Sequence, residues 1–240
     1  MTFASGLPRQ VEPELLDDLP ADDPRAQRSR LDLRRIHRAM STLSILQRAL
    51  DVATVASPPR RMLELGAGDG SLMLRLATLQ APRWHGVSLD LLDRLDLVDE
   101  ATLASFRQLG WSARALPMDV FAWLQAPVAQ PWDVICANLF LHHFRSDELR
   151  LLLAGIASRT GVFVCCEPRR ETLPLAASHL VALLGANAVT RQDAVLSVHA
   201  GFRAQELSAL WPDPANWHLR EYRAGLFGHA FVAVRRSASA

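Results

Sequence analysis

The chain has 240 residues, half of them hydrophobic, and its formal net charge is +1 at pH 7. This length is enough for one sizeable hydrophobic core and short for two. A charge balance this close to neutral gives no electrostatic reason to expect a nucleic-acid partner.

The sequence shows no targeting or membrane-spanning segment. Residues 1–6 contain no basic region, and the longest apolar stretches, such as residues 149–156, fall short of a membrane span. Each of the three cysteines lies in an apolar, strand-like run, which is typical of buried reduced thiols. We therefore expect a soluble, cytoplasmic protein with no membrane span.

The N-terminal part of the chain divides into two segments. Residues 1–26 carry prolines among acidic residues, which predicts a loosely ordered lead-in with a short turn at residues 14–19. Residues 27–53 repeat apolar side chains at threes and fours, which predicts a helical segment. Arg35 and His37 of this segment either lie on a solvated face or, if the segment caps a binding site, face a substrate.

A glycine-rich turn between a predicted strand and a predicted helix organises the chain. The strand ends at Glu64, and glycines follow at positions 66, 68 and 70. Such a turn is either tight packing or a place where backbone approaches a ligand, because glycine has no Cβ. The acid would repel a pyrophosphate, and the spacing is not that of a dinucleotide loop. The glycine-rich turn and its acid instead suit a ligand with a cationic amine and a neutral ribose.

This turn resembles motif I of the class I S-adenosylmethionine-dependent methyltransferases. The resemblance covers residues 60 to about 168 well and the rest loosely. It implies an α/β fold: a seven-stranded, mainly parallel, doubly wound sheet, here with an N-terminal helical extension. We expect an extension and helical cap at residues 1–58 and a methyltransferase domain at residues 59–240. The cofactor would be S-adenosylmethionine, contacted by Glu64, Gly66, Ala67, Gly68 and Gly70.

A second buried strand is predicted over residues 84–90, and it ends in the carboxylate of Asp90. A carboxylate at this place can accept hydrogen bonds from both ribose hydroxyls, although a solitary aspartate is also common in loops and caps. We expect Asp90 to bind the ribose and Leu91 to pack against the adenine. Residues 95–109 are expected to be helical.

A third, less regular strand is predicted over residues 111–120. In the family, the acid near its end, or the amide of the following residue, contacts the adenine amino group. The resemblance gives these roles to Asp119 and Val120. Asp119 also suits the start of a helical turn at residues 121–125, and the two roles are compatible.

A fourth strand is predicted over residues 131–138, and two histidines follow it. The run from Asn138 and Leu139 to Phe144 resembles motif IV of small-molecule methyltransferases, and it places Asn138 and Leu139 at the cofactor. It lacks the Asn-Pro-Pro-Tyr tetrapeptide of enzymes that methylate adenine N6 or glutamine. His142 or His143 is a candidate general base, unless the pair is only a polar strand end. No bound metal is expected there.

The remaining predicted elements are a fifth strand at residues 161–168, helices at 171–184 and 202–210, and a helix start near Thr190. Residues 217–223 and 229–235 alternate as two strands, which in the family form an antiparallel hairpin that closes the sheet. The insert at about residues 172–212 is expected to lie near the substrate pocket. His199 is a substrate candidate by position alone.

The resemblance implies transfer of a methyl group to a small-molecule acceptor. The neutral charge and the apolar insert favour a small, rather apolar acceptor, and we expect O-methylation of a phenolic, polyketide or quinone-like metabolite. C-methylation of a quinone precursor, methylation of a protein or RNA, and a cofactor-binding module without catalysis remain open.

Overall fold

The computed structural model describes residues 7–20, 22–54, 57–179 and 185–236. One sheet of seven strands runs through the described part of the chain. In chain order the strands are β1 (Arg61–Leu65), β2 (Ser88–Asp93), β3 (Ser112–Pro117), β4 (Trp132–Asn138), β5 (Thr160–Pro168), β6 (Trp217–Ala224) and β7 (Gly228–Arg235).

The strand order is β3-β2-β1-β4-β5-β7-β6. The first five of these strands pair in parallel, and β7 lies antiparallel between β5 and β6. The order reverses between β1 and β4, and α/β sheets bind ligands beyond the carboxyl ends of the strands at such a point. A ligand site is therefore expected at the loops that follow β1 and β4.

Helices cover both faces of the sheet. They are α1 (Leu15–Asp18), α2 (Pro24–Ala39), α3 (Thr42–Ala53), α4 (Ser71–Gln80), α5 (Glu100–Gln108), α6 (Val120–Gln125), α7 (Ser146–Arg159), α8 (Thr172–Ser178), α9 (Ala188–Ala200) and α10 (Glu206–Leu210). Within the described ranges, two 3₁₀ turns lie at Leu141–His143 and Pro214–Asn216.

Alternate strand residues supply two separate cores. On one face, Met62 and Leu89 pack with apolar side chains of α3, α4 and α5. On the other face, Leu63 and Ile135 pack with α6, α7 and α10. Because both faces are buried, the central strands are nearly continuous apolar runs. The two cores fix the sheet rigidly beneath the loops at its carboxyl edge.

The helical segment predicted at residues 27–53 is broken in the structure. Helix α2 ends at Ala39, and Ser41 adopts a left-handed backbone conformation with φ of 56° before α3 begins. The hydrophobic repeat continues across the break, so periodicity alone does not reveal it. The break lets α3 pack on the sheet while α2 crosses the carboxyl edge.

Three other predicted boundaries are wrong. The second strand begins at Ser88 and continues to Asp93, beyond the predicted end at residue 90. Helix α5 begins only after Asp99, whose carboxylate accepts a hydrogen bond of 2.7 Å from the Thr102 backbone N–H. Helix α8 ends at Ser178, and residues 180–184 of the predicted helix lie outside the described residues. In α5, the polar cap at Asp99 overrode the longer apolar pattern.

The antiparallel hairpin of β6 and β7 is confirmed. All three cysteines are buried and unpaired, as predicted. Among the described residues no helix is long and apolar enough to cross a membrane.

Candidate functional site

The loop between β1 and α4 has the geometry of a ligand-binding turn. The backbone N–H groups of Gly66 and Ala67 both donate to the Leu92 carbonyl, at 2.9 and 3.0 Å, which ties the loop to β2. Gly66 has φ of 71°, and a Cβ there would overlap the ring of Phe140. At Gly68, with φ of 55°, a Cβ would meet no atom within 4 Å. Gly66 is needed for packing, whereas Gly68 borders open space.

A cavity of about 560 Å³ lies beside this loop, at the carboxyl ends of β1 and β4. Its volume is in the range of small-molecule sites. We call one part of it the glycine end, lined by Glu64, Gly66, Ala67, Gly68 and Asp93. We call the other part the histidine end, lined by Glu14, Asp17, His142, His143 and Asp193.

Glu64 is a buried carboxylate in the wall of the glycine end. Its side chain is 2% exposed, and its Oε2 has no hydrogen-bond partner among the described residues. Burial, with smaller contributions from the charges of Asp69 and Asp93, raises the pKa of Glu64 well above its usual value. A cation placed in the cavity would supply the missing partner. Asn138, which also lines the cavity, has a buried Oδ1 without a partner among these residues.

Asp93, and not Asp90, stands at the end of β2. Asp93 lines the cavity, and its Oδ2 accepts a hydrogen bond of 2.8 Å from the Gly68 N–H. Its Oδ1 accepts one of 3.0 Å from Leu95 N–H. The carboxylate is thereby oriented toward the glycine loop and the cavity wall.

The prediction that Asp90 ends the strand was wrong. Asp90 lies within β2, opposite Leu63 of β1, and is 3% exposed. Its two oxygens accept hydrogen bonds from the Arg114 guanidinium at 2.5 Å and the Trp132 indole at 2.8 Å. Neither Asp90 nor Leu91 lines the cavity. A buried carboxylate in mid-strand is tolerated here because both oxygens are paired.

Three further cofactor candidates do not line the cavity. Asp119 caps α6, with its Oδ1 accepting from the N–H groups of Phe121 and Ala122 at 2.8 and 3.2 Å. Val120 is buried in the core on the α6 side of the sheet. The capping alternative for Asp119 is confirmed, and neither residue lines the cavity. Gly70 begins α4 with φ of 73° and is also outside the lining.

The loop after β4 brings two histidines to the cavity. Leu139 has φ of 50°, an unusual conformation for a residue with a side chain, and it lines the cavity with Asn138. This turn sends the chain into the 3₁₀ turn that holds His142 and His143. The centroids of the two imidazole rings lie 4.2 Å apart with the ring planes tilted by 33°, and both residues line the cavity.

His142 is held between two carboxylates. Its Nδ1 lies 2.8 Å from Glu167 Oε2, and its Nε2 lies 3.4 Å from Glu14 Oε1. Glu167, which is fully buried at the end of β5, also accepts from the backbone N–H groups of Phe140 and Leu141 at 3.1 and 2.9 Å. Burial alone would lower the pKa of His142, but the two carboxylates outweigh it and raise the pKa to about 9.

His143 has a different environment. Its Nδ1 lies 3.4 Å from Asp17 Oδ2, and its side chain is 26% exposed. Burial and the neighbouring charge of His142 lower the pKa of His143, and nearby carboxylates oppose the shift only in part. These shifts therefore favour the charged form of His142 and the neutral form of His143.

Residues 7–20, which we call the N-terminal segment, cover the histidine end. The carboxylate of Asp193 in α9 accepts from the N–H groups of Leu15 and Leu16 at 2.8 and 3.0 Å, and so caps α1. Arg9 donates to the carbonyls of Ala200 and Phe144 at 2.8 and 2.9 Å. The predicted loose lead-in is thus ordered against the body of the protein wherever it is described.

Of the three substrate candidates from the sequence, one lines the cavity and two do not. His37 lines the cavity, and burial lowers its pKa to about 4. Arg35 is exposed and bonds Asp32 Oδ1 at 3.1 Å, outside the cavity. His199 lies on α9 but does not line the cavity, where Ser197 and Val198 do. Position in the insert alone therefore does not identify which residues of α9 line the cavity.

Four acids that line the cavity were not predicted from the sequence: Glu14, Asp17, Asp93 and Asp193. Asp93 is the second aspartate of the run Ser-Leu-Asp-Leu-Leu-Asp. It could have been found by allowing a strand that is buried on both faces to continue past one aspartate whose charge is paired. Glu14, Asp17 and Asp193 give no local signal. Glu14 and Asp17 reach the histidines, and Asp193 reaches α1, only through long-range contacts.

Comparison with known proteins adds information only at the level of structure. The sequence matches no protein-family model and no curated protein at a significant level. The fold matches many solved structures. One is the plantazolicin methyltransferase BpumL in complex with SAH, with a TM-score of 0.66 and 13% sequence identity over 90% of this chain and 92% of that chain.

Two other solved structures have the same architecture. Magnesium protoporphyrin IX methyltransferase (ChlM) from Synechocystis PCC 6803 with bound SAH has a TM-score of 0.54 and 16% identity, over 92% of this chain and 91% of that chain. An O-methyltransferase family protein from Burkholderia thailandensis has a TM-score of 0.62 and 16% identity, over 91% of this chain but 62% of that chain. This chain has the class I methyltransferase fold. The predicted seven-stranded, mainly parallel sheet is confirmed.

Proposed function

We propose that this protein transfers a methyl group from S-adenosylmethionine to a small, rather apolar acceptor. The observation that carries the proposal is one continuous cavity that joins the glycine loop of a methyltransferase fold to a histidine–carboxylate cluster. Solved neighbours of this fold contain SAH. The cofactor would supply an electrophilic methyl group on a sulfonium, and the protein aligns the acceptor and manages its proton.

The residues of the glycine end fit this cofactor. The unpaired Oε2 of Glu64 suits the cationic amine, because a buried carboxylate without a partner gains most from a positive charge. Asp93, oriented by Gly68 and Leu95, suits the ribose hydroxyls. The open space at Gly68 lets the backbone approach the ligand. We assign the ribose role to Asp93 instead of Asp90.

The acceptor is inferred from the other walls of the cavity. Apolar side chains of α2, α8 and α9, such as Ile36, Ala177 and Val198, line it beside the two histidines. The N-terminal segment covers this end, which favours a small molecule over a folded protein or an RNA. A neutral imidazole beside an apolar pocket suits removal of a hydroxyl proton. We therefore favour O-methylation of a phenolic, polyketide or quinone-like acceptor.

Calorimetry with S-adenosylmethionine and with its demethylated product tests the cofactor part of this proposal. We expect binding with a dissociation constant in the micromolar range, about −8 kcal/mol. A panel of phenols, hydroxyquinones and short peptides, with labelled cofactor, then tests the acceptor. Mass spectrometry of the product distinguishes O-methylation from C-methylation. Absence of heat with both cofactor forms would overturn the proposal.

A further inference from the structure

The two histidines differ in how many of their ring nitrogens already have a partner. Both nitrogens of His142 face carboxylates, those of Glu167 and Glu14. On His143, Nδ1 faces Asp17, and no described residue forms a hydrogen bond or ion pair with Nε2. His143 therefore has one ring nitrogen left for a ligand in the cavity, whereas His142 has none.

We propose that His143 accepts the proton of the acceptor and that Asp17 of the N-terminal segment positions it, so that docking of this segment completes the acid–base site. The proposal rests on the proposed function and deepens it, because it assigns the base and names an element outside the main domain as part of the site. Neither Asp17 nor Glu14 was a candidate on sequence grounds.

The proton transfer follows the ring geometry. Asp17 Oδ2 beside Nδ1 favours the tautomer that carries the hydrogen on Nδ1, and Nε2 then carries the lone pair on a ring that lines the cavity. The acceptor's hydroxyl proton moves to Nε2, and the electron pair left on its oxygen forms the bond to the methyl carbon. The sulfur–methyl bond would break in the same step, and its electron pair would stay on the sulfur of the demethylated cofactor, which would leave as a neutral thioether. The proton leaves to solvent when the product departs. The present 3.4 Å between ring and carboxylate is long for a hydrogen bond, as is common in a catalytic site without its substrate.

The surrounding charges separate the roles of the rings. The groups that face His143 are His142 on the same turn, Asp17 and Glu14 on the N-terminal segment, and Glu167 on β5. The positive charge on His142 works against a second positive charge on the neighbouring ring, which favours the neutral form of His143 that can accept a proton. His142 is the fixed cation that holds Glu14 and Glu167 together.

Contacts along the N-terminal segment bring Asp17 to its place. Arg94, in the loop after β2, pairs with Asp17 Oδ1 at 2.9 Å. Asp193 caps the first turn of α1, and Arg170 donates to the Leu7 carbonyl at 2.8 Å. The oxygen of Asp17 that faces Arg94 is not the one that faces His143. Arg94 therefore anchors the carboxylate without removing it from the imidazole.

A divalent cation is the competing occupant of this cluster. Glu14, His142 and His143 each offer a ligand atom, and these atoms lie within 4.8 Å of one another. Such a donor set occurs in two-histidine, one-carboxylate metal sites. A metal bound there would remove His143 as a base, so metal dependence contradicts the proposal.

The test compares Asp17→Asn, Asp17→Glu and His143→Gln with a matched control, Asp18→Asn. Asp18 is the exposed neighbour on the same short helix. We expect Asp17→Asn to lower turnover by ~10²-fold through loss of ring positioning and His143→Gln to lower it by ~10²–10⁴-fold. The affinity of all four variants for the demethylated cofactor should stay within about twofold of wild type. Asp17→Glu should restore most of the turnover, and Asp18→Asn should behave as wild type.

Two readouts separate positioning from a structural role. Because Asp17 raises the pKa of His143, Asp17→Asn should shift the acidic limb of the pH–rate profile to lower pH. NMR titration of the ring, assigned with His143→Gln, should show the same shift without any acceptor.

Three outcomes would overturn the proposal: an Asp17→Asn variant indistinguishable from Asp18→Asn, a His143→Gln variant with full turnover, or loss of wild-type activity with a chelator and its recovery with Mn²⁺ or Zn²⁺. If wild type neither binds the cofactor nor methylates the panel, the proposed function fails instead, and the NMR titration still judges the ring pairing.

Discussion

The two ends of the cavity are built in different ways. The glycine end is made by segments close in sequence: the Gly68 N–H and the carboxylate of Asp93 that accepts from it are 25 residues apart. The histidine end depends on distant segments: Asp193 and Leu15, which it caps, are 178 residues apart. The glycine end is formed within the β1–α4–β2 unit, whereas the histidine end gains Glu14 and Asp17 only when the N-terminal segment is docked.

This difference has a consequence for what each end can do. Rigid strand ends suit a constant ligand, whose shape does not change between reactions. A site completed by a docked segment can open for substrate and product and exclude water when closed. We expect mutations at the glycine end to change cofactor binding and mutations at the histidine end to change turnover.

The largest effect on stability should come from substituting the glycines of the loop after β1. We expect the substitution of Gly66 to affect mainly folding and that of Gly68 to affect mainly cofactor binding. Gly66→Ala would press a methyl group into Phe140 at a positive φ, and we expect a loss of about 2–5 kcal/mol in unfolding free energy. Gly68→Ala meets no neighbour, so its loss should be about 1–2 kcal/mol. Chemical denaturation measures both.

Calorimetry then completes the comparison of these glycines. Gly68→Ala should bind the cofactor more weakly, because its methyl group extends into the space that a ligand would use. If the two variants lose equal stability, the Phe140 contact does not constrain the loop.

The second prediction concerns the two aspartates of β2. Asp93→Ala should weaken cofactor binding by about 2–4 kcal/mol, through loss of two hydrogen bonds to a charged acceptor. Asp90→Ala should instead leave cofactor affinity unchanged and lower stability by about 1–3 kcal/mol, because it leaves the buried indole N–H of Trp132 without a partner. Calorimetry measures the cofactor affinity of both variants, and thermal melting measures their stability. Weak binding by Asp90→Ala and normal binding by Asp93→Ala would reverse our assignment.

The third and smallest prediction concerns pH and the histidine end. The pKa of His142 is raised to about 9 from an ordinary value near 6.5, so its stabilisation is complete below about pH 6.5 and lost as the pH rises through about 9. We expect the melting temperature to fall by a few degrees over that window. The N-terminal segment should become more sensitive to protease at the same time.

The control for this prediction is His142→Gln, which has no titrating group at that position. Its melting temperature should vary less between pH 6.5 and 9 than that of wild type. Equal slopes for the two proteins would show that His142 is not the group that couples the segment to pH.

The sequence was informative where short-range patterns decide the structure. The glycine loop, Glu64 and Asn138 could be placed because strand, turn and helix follow one another directly. The choice between Asp90 and Asp93 could not be made, because the Trp132 indole that neutralises Asp90 comes from a strand two places away in the sheet. A charged residue inside an apolar run suggests that the strand ends there, unless the group that pairs with the charge is known.

At the histidine end, the sequence located the imidazoles but not what surrounds them. His142 and His143 follow a strand directly, so their place at the carboxyl edge could be predicted. Their carboxylate partners in the N-terminal segment could not, because a proline-rich acidic stretch has no periodicity that fixes where it docks. His199 and Arg35 do not line the cavity, because which face of a helix meets the cavity depends on packing.

The position of β7 also matters while the protein is being made. In the sheet, β7 lies between β5 and β6, although it follows both of them in the chain. On a translating ribosome, β5 therefore has an open edge, and β6 has no neighbour, until Gly228–Arg235 has been synthesised. That edge carries apolar residues such as Val162 and Val164, which can pair with another nascent chain. A premature stop before β7 would leave this edge permanently exposed, and the shortened product should aggregate.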